Sequence, residues 1–298
     1  MLRHFKWIAF ATLHVSVLMI TLPAQAQTFT LVHNFTGSDG SSPTAGVTMD
    51  QGRNLYGTAS LGGHTVGNCF NGCGTVYKLT HKNSSWTFTP LYLFNDSDGS
   101  EPLGRVTFGP DGRLYGTTSF GGAFNNGVVF SLQPPATICK ATFCSWRETV
   151  LYSFTGGADG LNPGYGDLAF DRAGNIYGTT MYGGINGEGT VYKLSSSHGV
   201  WSKTVLHSFG ATAVDGQYPY AGVVLDGSGN LYGTTFLGGQ DGVGAVYELQ
   251  ADGWSEITLH SFDELEDGYE LAGGLIFDSH GNLYGVSSVG GPNGGGAV

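Results

Sequence analysis

The sequence predicts an all-β protein of the β-propeller class with five four-stranded blades. A ten-residue phrase of the type NLYGTTFLGG begins at residues 54, 113, 175, 230 and 282, and its Tyr recurs at spacings of 59, 62, 55 and 52 residues. Each unit contains four short runs rich in β-branched and aromatic residues, separated by Gly, Asp, Asn and Pro. Four strands per repeat are typical of a propeller blade, since a solenoid coil is shorter.

The strand order within a blade follows from the fourth unit, whose four runs are AGVVLD, NLYGTT, GAVYEL and WSEITLHSF. In the first unit Pro90 interrupts the Trp-containing run, and proline is tolerated at a sheet edge but not at its centre. Other propellers with the pattern Pro-x-Gly, apolar run, Asp-x-x-Gly-Asn have the apolar run innermost, so by resemblance the Trp strand is outermost. The first copy of that strand, Thr28 to Phe35, then has no blade of its own. We expect it to complete the fifth blade and close the ring.

Residues 1–26 have the features of a signal peptide. Arg3 and Lys6 precede an uncharged apolar run from Trp7 to Leu22, and the sequence Ala24-Gln25-Ala26 matches a cleavage site. The alternative, an uncleaved membrane anchor, is disfavoured because the run is shorter than the roughly 20 residues that span a bilayer. Residues 27–298 then form the propeller, and the protein is exported to the periplasm, the cell surface or the medium.

The excess of acidic residues disfavours nucleic acid as a partner. The chain has 12 basic and 23 acidic residues, a formal net charge of −11. A protein this acidic lacks the positive surface that binds a phosphate backbone. No nucleic acid partner is expected.

The tandem unit from NLYGTT to GTVYKL resembles the GloVer repeat, named from Gloeobacter and Verrucomicrobia, over essentially all of residues 28–298. The resemblance implies an exported, often surface-attached protein with a C-terminal sorting anchor, and it implies no reaction. This sequence ends at Gly296-Ala297-Val298, within a run that continues as VYKL or VYEL in other units. We therefore expect the last repeat to be truncated, and attachment to a membrane only through an anchor that lies beyond this sequence.

The four cysteines form two close pairs, Cys69 with Cys73 and Cys139 with Cys144. In an exported protein this spacing favours two short disulfides over free thiols. The alternative of one four-Cys zinc site is disfavoured because the two pairs lie in connections at opposite faces of the predicted disc.

Few patterns point to catalysis. The sequence lacks G-x-S-x-G, H-E-x-x-H and P-loop motifs. One irregularity lies in the innermost strand, where three repeats have glycine and the second and third have Arg105 and Asp167. This opposite-charge pair predicts either a ligand site at the channel mouth or a structural ion pair. A recurrent aromatic or imidazole position is assigned to packing; its members are His33, Tyr92, Tyr152, His207 and His260.

A second candidate site is an acidic loop face. In every repeat an Asp-Gly pair precedes the innermost strand, and these connections share a face with the loops that open at Gly-Gly. The conserved spacing selects Asp39, Asp98, Asp159, Asp215 and Asp267 as ligand-binding candidates. Asp-Gly also suits a simple turn. Further acids in the same loops favour a cation, with weak calcium binding, or a basic ligand. No other cofactor is predicted.

Three functions stay open. The first is an exported binding or interaction module for a glycan, a cation or a protein. The second is a propeller enzyme of the lactonase, lyase or glycosidase type, which requires several ionisable side chains at one axial pocket. The third is a passive surface-layer or adhesion element. Because the repeated residues suit packing and turns, the sequence favours the binding module.

Overall fold

The computed structural model describes residues 29–83, 85–135 and 146–298. The predicted signal peptide and the pair Cys139–Cys144 lie outside these residues. Two units are distinguished, Met1–Val32 and His33–Val298. Of the first unit only residues 29–32 are described, and they carry no helix or strand. No helix in the described part of the chain has the length and apolar character needed to cross a bilayer.

The second unit is all-β, as predicted. Its first three repeats each form a four-stranded antiparallel sheet with the strands in chain order. The first sheet contains β1 (Thr48–Met49), β2 (Leu55–Ala59), β3 (Thr75–Lys82) and β4 (Ser85–Leu93). The second contains β5 (Thr107–Phe108), β6 (Leu114–Thr118), β7 (Val128–Gln133) and β8 (Arg147–Ser153). A 3₁₀ turn, Gly157–Asp159, precedes the third sheet, of β9 (Ala169–Phe170), β10 (Ile176–Thr180), β11 (Thr190–Ser197) and β12 (Val200–Ser208).

The fourth repeat adds a small ribbon to the same plan. Its ribbon pairs β13 (Gly216–Gln217) with β16 (Leu237–Gly238), and its main sheet contains β14 (Val224–Leu225), β15 (Leu231–Thr235), β17 (Ala245–Leu249) and β18 (Glu256–Ser261). The fifth sheet pairs only β19 (Ile276–Phe277) with β20 (Leu283–Tyr284). Its next element is a single bridge between Ser287 and Ala297.

The predicted order of strands is confirmed, since the strand that contains or closely follows the repeated Trp lies at one edge of each four-stranded sheet. Trp86 lies in β4 and Trp201 in β12. The pairing of the third strand with this edge strand shifts register at the same point in all four sheets. Pro90 pairs with Tyr77 at that shift, where an edge strand tolerates the loss of an N–H donor.

The prediction of a strand from Thr28 to Phe35 is wrong, because no described residue from 29 to 35 lies in a strand. The ring of His33 instead stacks on Phe88 with centroids 3.8 Å apart, and Phe35 meets Tyr77 edge-on at 5.3 Å. The physical reason is that the two-stranded fifth sheet offers no third strand beside which this segment could pair.

Aromatic contacts between consecutive sheets build the core. The Phe after the outer strand of each of the first three sheets is fully buried against the aromatic residue of the next sheet's third strand. Phe94 packs on Phe130 at 5.0 Å, Phe154 on Tyr192 at 5.2 Å, and Phe209 on Tyr247 at 5.0 Å. Each such contact removes a large apolar area from water, which stabilises the stacking of one sheet on the next.

The turn between the first two strands is held by one aspartate per repeat. In the first repeat the Asp50 carboxylate accepts hydrogen bonds from the backbone and side-chain N–H groups of Asn54, both at 2.8 Å, and from the Tyr56 hydroxyl at 3.0 Å. The same aspartate–tyrosine bond recurs in the other four repeats. The repeated phrase is therefore structural, because its Tyr and Asn fasten the tight turn that precedes it.

Candidate functional site

A central cavity of about 360 Å³ is lined by residues from all five repeats. The first repeat contributes Thr44–Gly46, the second Leu103–Arg105, the third Tyr165 and Asp167, the fourth Tyr220 and the fifth Ala272. An adjoining cavity of about 430 Å³ shares Arg105, Tyr165, Asp167 and Ala272 with it. The shared residues show that the two cavities meet at one constriction near the innermost strands.

Arg105 and Asp167 meet at this constriction, as their positions in the repeats predict. The guanidinium donates to one carboxylate oxygen of Asp167 from Nε at 3.0 Å and from a terminal nitrogen at 2.5 Å. The Arg105 backbone N–H donates to the other oxygen at 3.2 Å. Both side chains stay about two-fifths exposed, so a ligand can reach them. An ion pair this exposed adds little to the stability of the fold. Its exposed polar atoms can therefore also contact a ligand.

Tyrosine rings form one wall of the central cavity. Tyr165 and Tyr220 pack with centroids 4.2 Å apart, and Tyr220 also lies 6.0 Å from Phe236. Burial, together with the neighbouring Tyr220, raises the pKa of Tyr165 to about 12. The hydroxyls are therefore neutral at physiological pH. They can donate hydrogen bonds to a ligand but cannot act as bases.

The Asp-Gly connection of each repeat pairs with the Gly-Gly connection of the same repeat. Ser41 bridges to Leu61, Ser100 to Phe120 and Leu161 to Tyr182. The β13–β16 ribbon makes the same contact in the fourth repeat. The candidate aspartates thus lie next to paired loops, and an acidic face shared by all five repeats stays a prediction.

Each of these aspartates bonds to residues close to it in the chain. The carboxylates of Asp39, Asp98, Asp159 and Asp215 accept the backbone N–H of a residue three or four positions earlier, at 2.7 to 2.9 Å. They also face the recurrent aromatic or imidazole position. Bonds of 2.6 to 3.0 Å join His33 to Asp39, Tyr92 to Asp98, Tyr152 to Asp159 and His260 to Asp267. The carboxylates are thus committed to fastening the loop to the outer strand, and a direct role in ligand binding stays a prediction.

The outer strand of the following sheet adds a third residue to four of these pairs. That residue lies four positions before the recurrent aromatic or imidazole residue of the same strand. In chain order these third residues are Phe88, Glu148, Lys203 and Glu256. We call each set of three a junction triad. Lys203 provides the clearest case, because its ammonium is almost fully buried and lies 2.9 Å from Asp159. Its charge also lies 4.9 Å from the centre of the Phe154 ring, within cation–π range.

The fourth triad differs in composition. His207 Nε2 lies 3.7 Å from Asp215 Oδ1 and 3.6 Å from Glu256 Oε2. Burial raises the pKa of Glu256, and the adjacent Asp215 carboxylate raises it further. The three potential ligand atoms lie within 4.8 Å of one another. This cluster was not among the sequence predictions, although an ionisable residue four positions before His260 in an otherwise alternating strand was a visible signal.

The disulfide between Cys69 and Cys73 is present in the connection from β2 to β3, as predicted. It closes a short loop beside a small cavity lined by Glu101 and Phe120. Burial raises the pKa of Glu101. The disulfide thus belongs to the same loop face as the candidate aspartates.

The chain is similar to several solved structures at low sequence identity, and three of them differ in their coverage. A protein named as a gluconolactonase is 17% identical, with 72% of this chain and 61% of that chain covered and a TM-score of 0.42. An endo-arabinase from Bacteroides thetaiotaomicron is 18% identical, with coverage of 82% and 87% and a TM-score of 0.41. PorZ, a surface component of the type-IX secretion system of Porphyromonas gingivalis, is 16% identical, with coverage of 89% and 33% and a TM-score of 0.46. This chain thus spans about three-fifths of the first protein and one-third of the last.

No curated protein matches the sequence. The Gloeobacter/Verrucomicrobia repeat model matches residues 17–164 and 136–298, which together include every copy of the repeated phrase. The match agrees with the resemblance seen in the NLYGTT-to-GTVYKL unit. The chain therefore belongs to the Gloeobacter/Verrucomicrobia repeat family.

Proposed function

We propose that this protein is an exported, five-bladed β-propeller that acts as a binding module through its central cavity and loop face. The observation that carries the proposal is the lining of the central cavity. Apart from tyrosines, the only ionisable side chains among the described residues of its wall are Arg105 and Asp167, and these bond to each other. Glycine, alanine, leucine and threonine make up most of the remaining wall.

This composition favours binding over catalysis. General acid–base chemistry needs groups whose pKa values are matched to proton transfer at the operating pH. Glycosidases need two carboxyl groups across the scissile bond, and the described wall of this cavity has one. A lactonase, lyase or glycosidase activity is the second candidate, and a passive surface-layer or adhesion role is the third.

The packing of the N-terminal segment supports ring closure. Phe35 meets Tyr77 as Phe94 meets Phe130 one repeat later. The segment thus occupies, against the first sheet, the place that the end of an outer strand occupies against the second, third and fourth sheets. In a closed ring that place belongs to the fifth blade, and closure removes exposed sheet edges.

Export is supported by two features of different kinds. The first is the signal-peptide pattern of residues 1–26. The second is the Cys69–Cys73 disulfide, since such bonds persist in oxidising compartments.

The cavity suits a neutral or zwitterionic polar ligand such as a sugar. Tyr165 and Tyr220 offer flat apolar faces with hydroxyl groups, and Arg105 and Asp167 offer a donor and an acceptor side by side. Weak binding of calcium or of a basic partner by the acidic loops remains a separate part of the proposal.

The test is a glycan-array screen with residues 27–298, followed by calorimetry of each hit. The variants Tyr220→Ala and Arg105→Ala should each weaken binding at least tenfold, whereas Asp252→Asn, on an exposed turn, should leave it unchanged. Calcium titrations would run in parallel. Equal binding by all variants would place the ligand elsewhere, and hydrolysis of an array sugar or of a lactone would favour the enzyme.

A further inference from the structure

We propose that His207, Asp215 and Glu256 bind a divalent transition-metal ion, Zn²⁺ in the first instance, at the junction of the third and fourth sheets. His207 comes from β12, Glu256 from β18 and Asp215 from the loop between these strands. The ion would join two repeats that otherwise meet mainly through apolar packing.

The distances suit a small tetrahedral ion. Zinc holds nitrogen and oxygen ligands at about 2.1 Å, which separates neighbouring ligand atoms by about 3.4 Å. The separations from His207 Nε2 are 3.7 Å to Asp215 and 3.6 Å to Glu256. Contraction by a few tenths of an ångström would bring both separations from His207 to that value, and all three ligand atoms already lie within 4.8 Å of one another. These distances exceed those of ordinary hydrogen bonds, so the atoms face one another without being bonded.

The atoms that face the centre of the cluster lack partners. Asp215 Oδ1 and His207 Nε2 are both buried without a hydrogen bond within the described chain. The Asp215 side chain is only 5% exposed, and its other oxygen accepts the Ala211 N–H at 2.8 Å. A buried polar atom without a partner is costly. Its orientation toward two other ligand atoms indicates a group that would bind between them.

Comparison with the third junction triad shows that the fourth triad lacks a positive charge. There the third residue is Lys203, whose buried ammonium neutralises Asp159. In the fourth triad the equivalent residue is Glu256, so two carboxylates face each other, and within the described residues no Lys or Arg pairs with either. A bound cation would supply the charge that Lys203 supplies one junction earlier.

The donor set selects the class of ion. Calcium and magnesium prefer oxygen ligands only, whereas an imidazole nitrogen with two carboxylates suits zinc and its neighbours in the first transition row. Three protein ligands leave a fourth position for water. His207 and Glu256 are each about one-sixth exposed, which gives the ion a path from the outer rim.

The test uses untagged residues 27–298 stripped with a chelator. Calorimetry and elemental analysis should give one Zn²⁺ per chain, Co²⁺ should give the visible absorption of a tetrahedral site, and saturating Zn²⁺ should raise the melting temperature by several degrees. Calcium should do neither at this site.

Two variants copy triads that the chain already contains. His207→Tyr reproduces the Tyr92–Asp98–Glu148 set, and Glu256→Lys reproduces the cation of the third triad. Each should weaken zinc binding at least 100-fold, and Glu256→Lys should melt higher than the stripped protein without any metal. His260→Gln, at the pair that lacks a third residue, should bind zinc normally.

The proposal is overturned by the absence of stoichiometric zinc, by equal zinc binding in His207→Tyr, or by calcium binding that His207→Tyr abolishes, because calcium held by the acidic loops would survive that substitution. If His207→Tyr does not fold, Glu256→Gln serves in its place. This substitution keeps size and hydrogen bonding while removing the charge, and unchanged zinc affinity in it would also reject the site.

Discussion

The Tyr192 ring of β11 lies directly across Gly178 of β10, its pairing partner in the third sheet. A Cβ atom at Gly178 would lie 2.5 Å from the Tyr192 hydroxyl oxygen, too close for the two to coexist. The same relationship joins Gly57 to Tyr77, Gly116 to Phe130 and Gly233 to Tyr247. The glycine of the repeated phrase is thus required by the aromatic side chain that covers it, within one sheet.

The first prediction concerns this glycine. Gly178→Ala should lower the free energy of unfolding by about 1–3 kcal/mol, because the methyl group overpacks a fully buried site. Urea denaturation of both proteins would measure the difference. Gly227→Ala is the matched control, since a Cβ there meets nothing within 4 Å and the backbone is not left-handed. Equal losses in the two variants would contradict the packing argument.

The second prediction concerns two buried hydroxyls. The hydroxyls of Tyr192 and Tyr247 have no hydrogen-bond partner within the described chain, and the second sheet has Phe130 at the equivalent position. Tyr247→Phe should therefore leave stability unchanged or raise it by about 1 kcal/mol. Tyr177→Phe, which removes the bond to Asp171, should instead lower it by about 1 kcal/mol. Thermal unfolding of the two variants would test this; a loss in Tyr247→Phe as large as that in Tyr177→Phe would refute it.

The third prediction concerns pH. Burial raises the pKa of Glu148 to about 8, and the neighbouring Asp98 adds to the effect. Between its ordinary pKa of 4.5 and this value, the folded protein holds a proton that the unfolded chain has released, so stability falls as pH rises through this window. Glu148→Gln should flatten the decline in melting temperature from pH 5 to pH 8 and should melt higher than the parent at pH 8.

The pH measurement has a control variant, and at acidic pH stability is expected to change in the opposite direction. Asp252→Asn, on an exposed turn, should leave the slope unchanged. Below about pH 4 the sign reverses. Burial opposes ionisation of Asp50 and Asp171, but hydrogen bonds from Asn54 and Asn175 outweigh it and lower both pKa values. Stability is therefore lost as pH falls through those lowered values. A decline above pH 5 that persists in Glu148→Gln would reject the role of this carboxyl.

The fourth prediction concerns the third junction triad. Lys203→Ala should lower the free energy of unfolding by about 3 kcal/mol, because it removes a buried cation and leaves Asp159 partly uncompensated. Lys203→Met should recover part of the loss, since the apolar stem also packs on Phe154. Lys82→Ala, at an exposed strand end, should have no measurable effect. Chemical denaturation distinguishes these outcomes, and equal stability of all three variants would show that the junction does not depend on the charge.

The junction triads are a feature that the sequence alone did not predict. The five Asp-Gly aspartates and the recurrent aromatic position were both found by repeat alignment, yet they were assigned to different roles. Their separation varies from six residues at His33–Asp39 to eight at His207–Asp215, so no fixed spacing linked them. Residues such as Glu256 and Lys203 were missed because they belong to the next repeat. Neighbours across two sheets leave no periodic signal in one strand.

The sequence by itself determined the repeat, the four-strand plan, the outer position of the Trp strand and the adjacency of Arg105 and Asp167. The first three follow from local physics, because strand alternation, turn residues and proline positions act within a few residues of the backbone. The adjacency of Arg105 and Asp167 follows from their equivalent positions in neighbouring repeats. Only the tertiary structure decided which side chains share a junction. It placed Asp215 within reach of His207 and Glu256, and it placed Phe35 on Tyr77 without a strand. Such contacts depend on how one sheet packs against the next, and packing couples residues that are tens of positions apart in the chain.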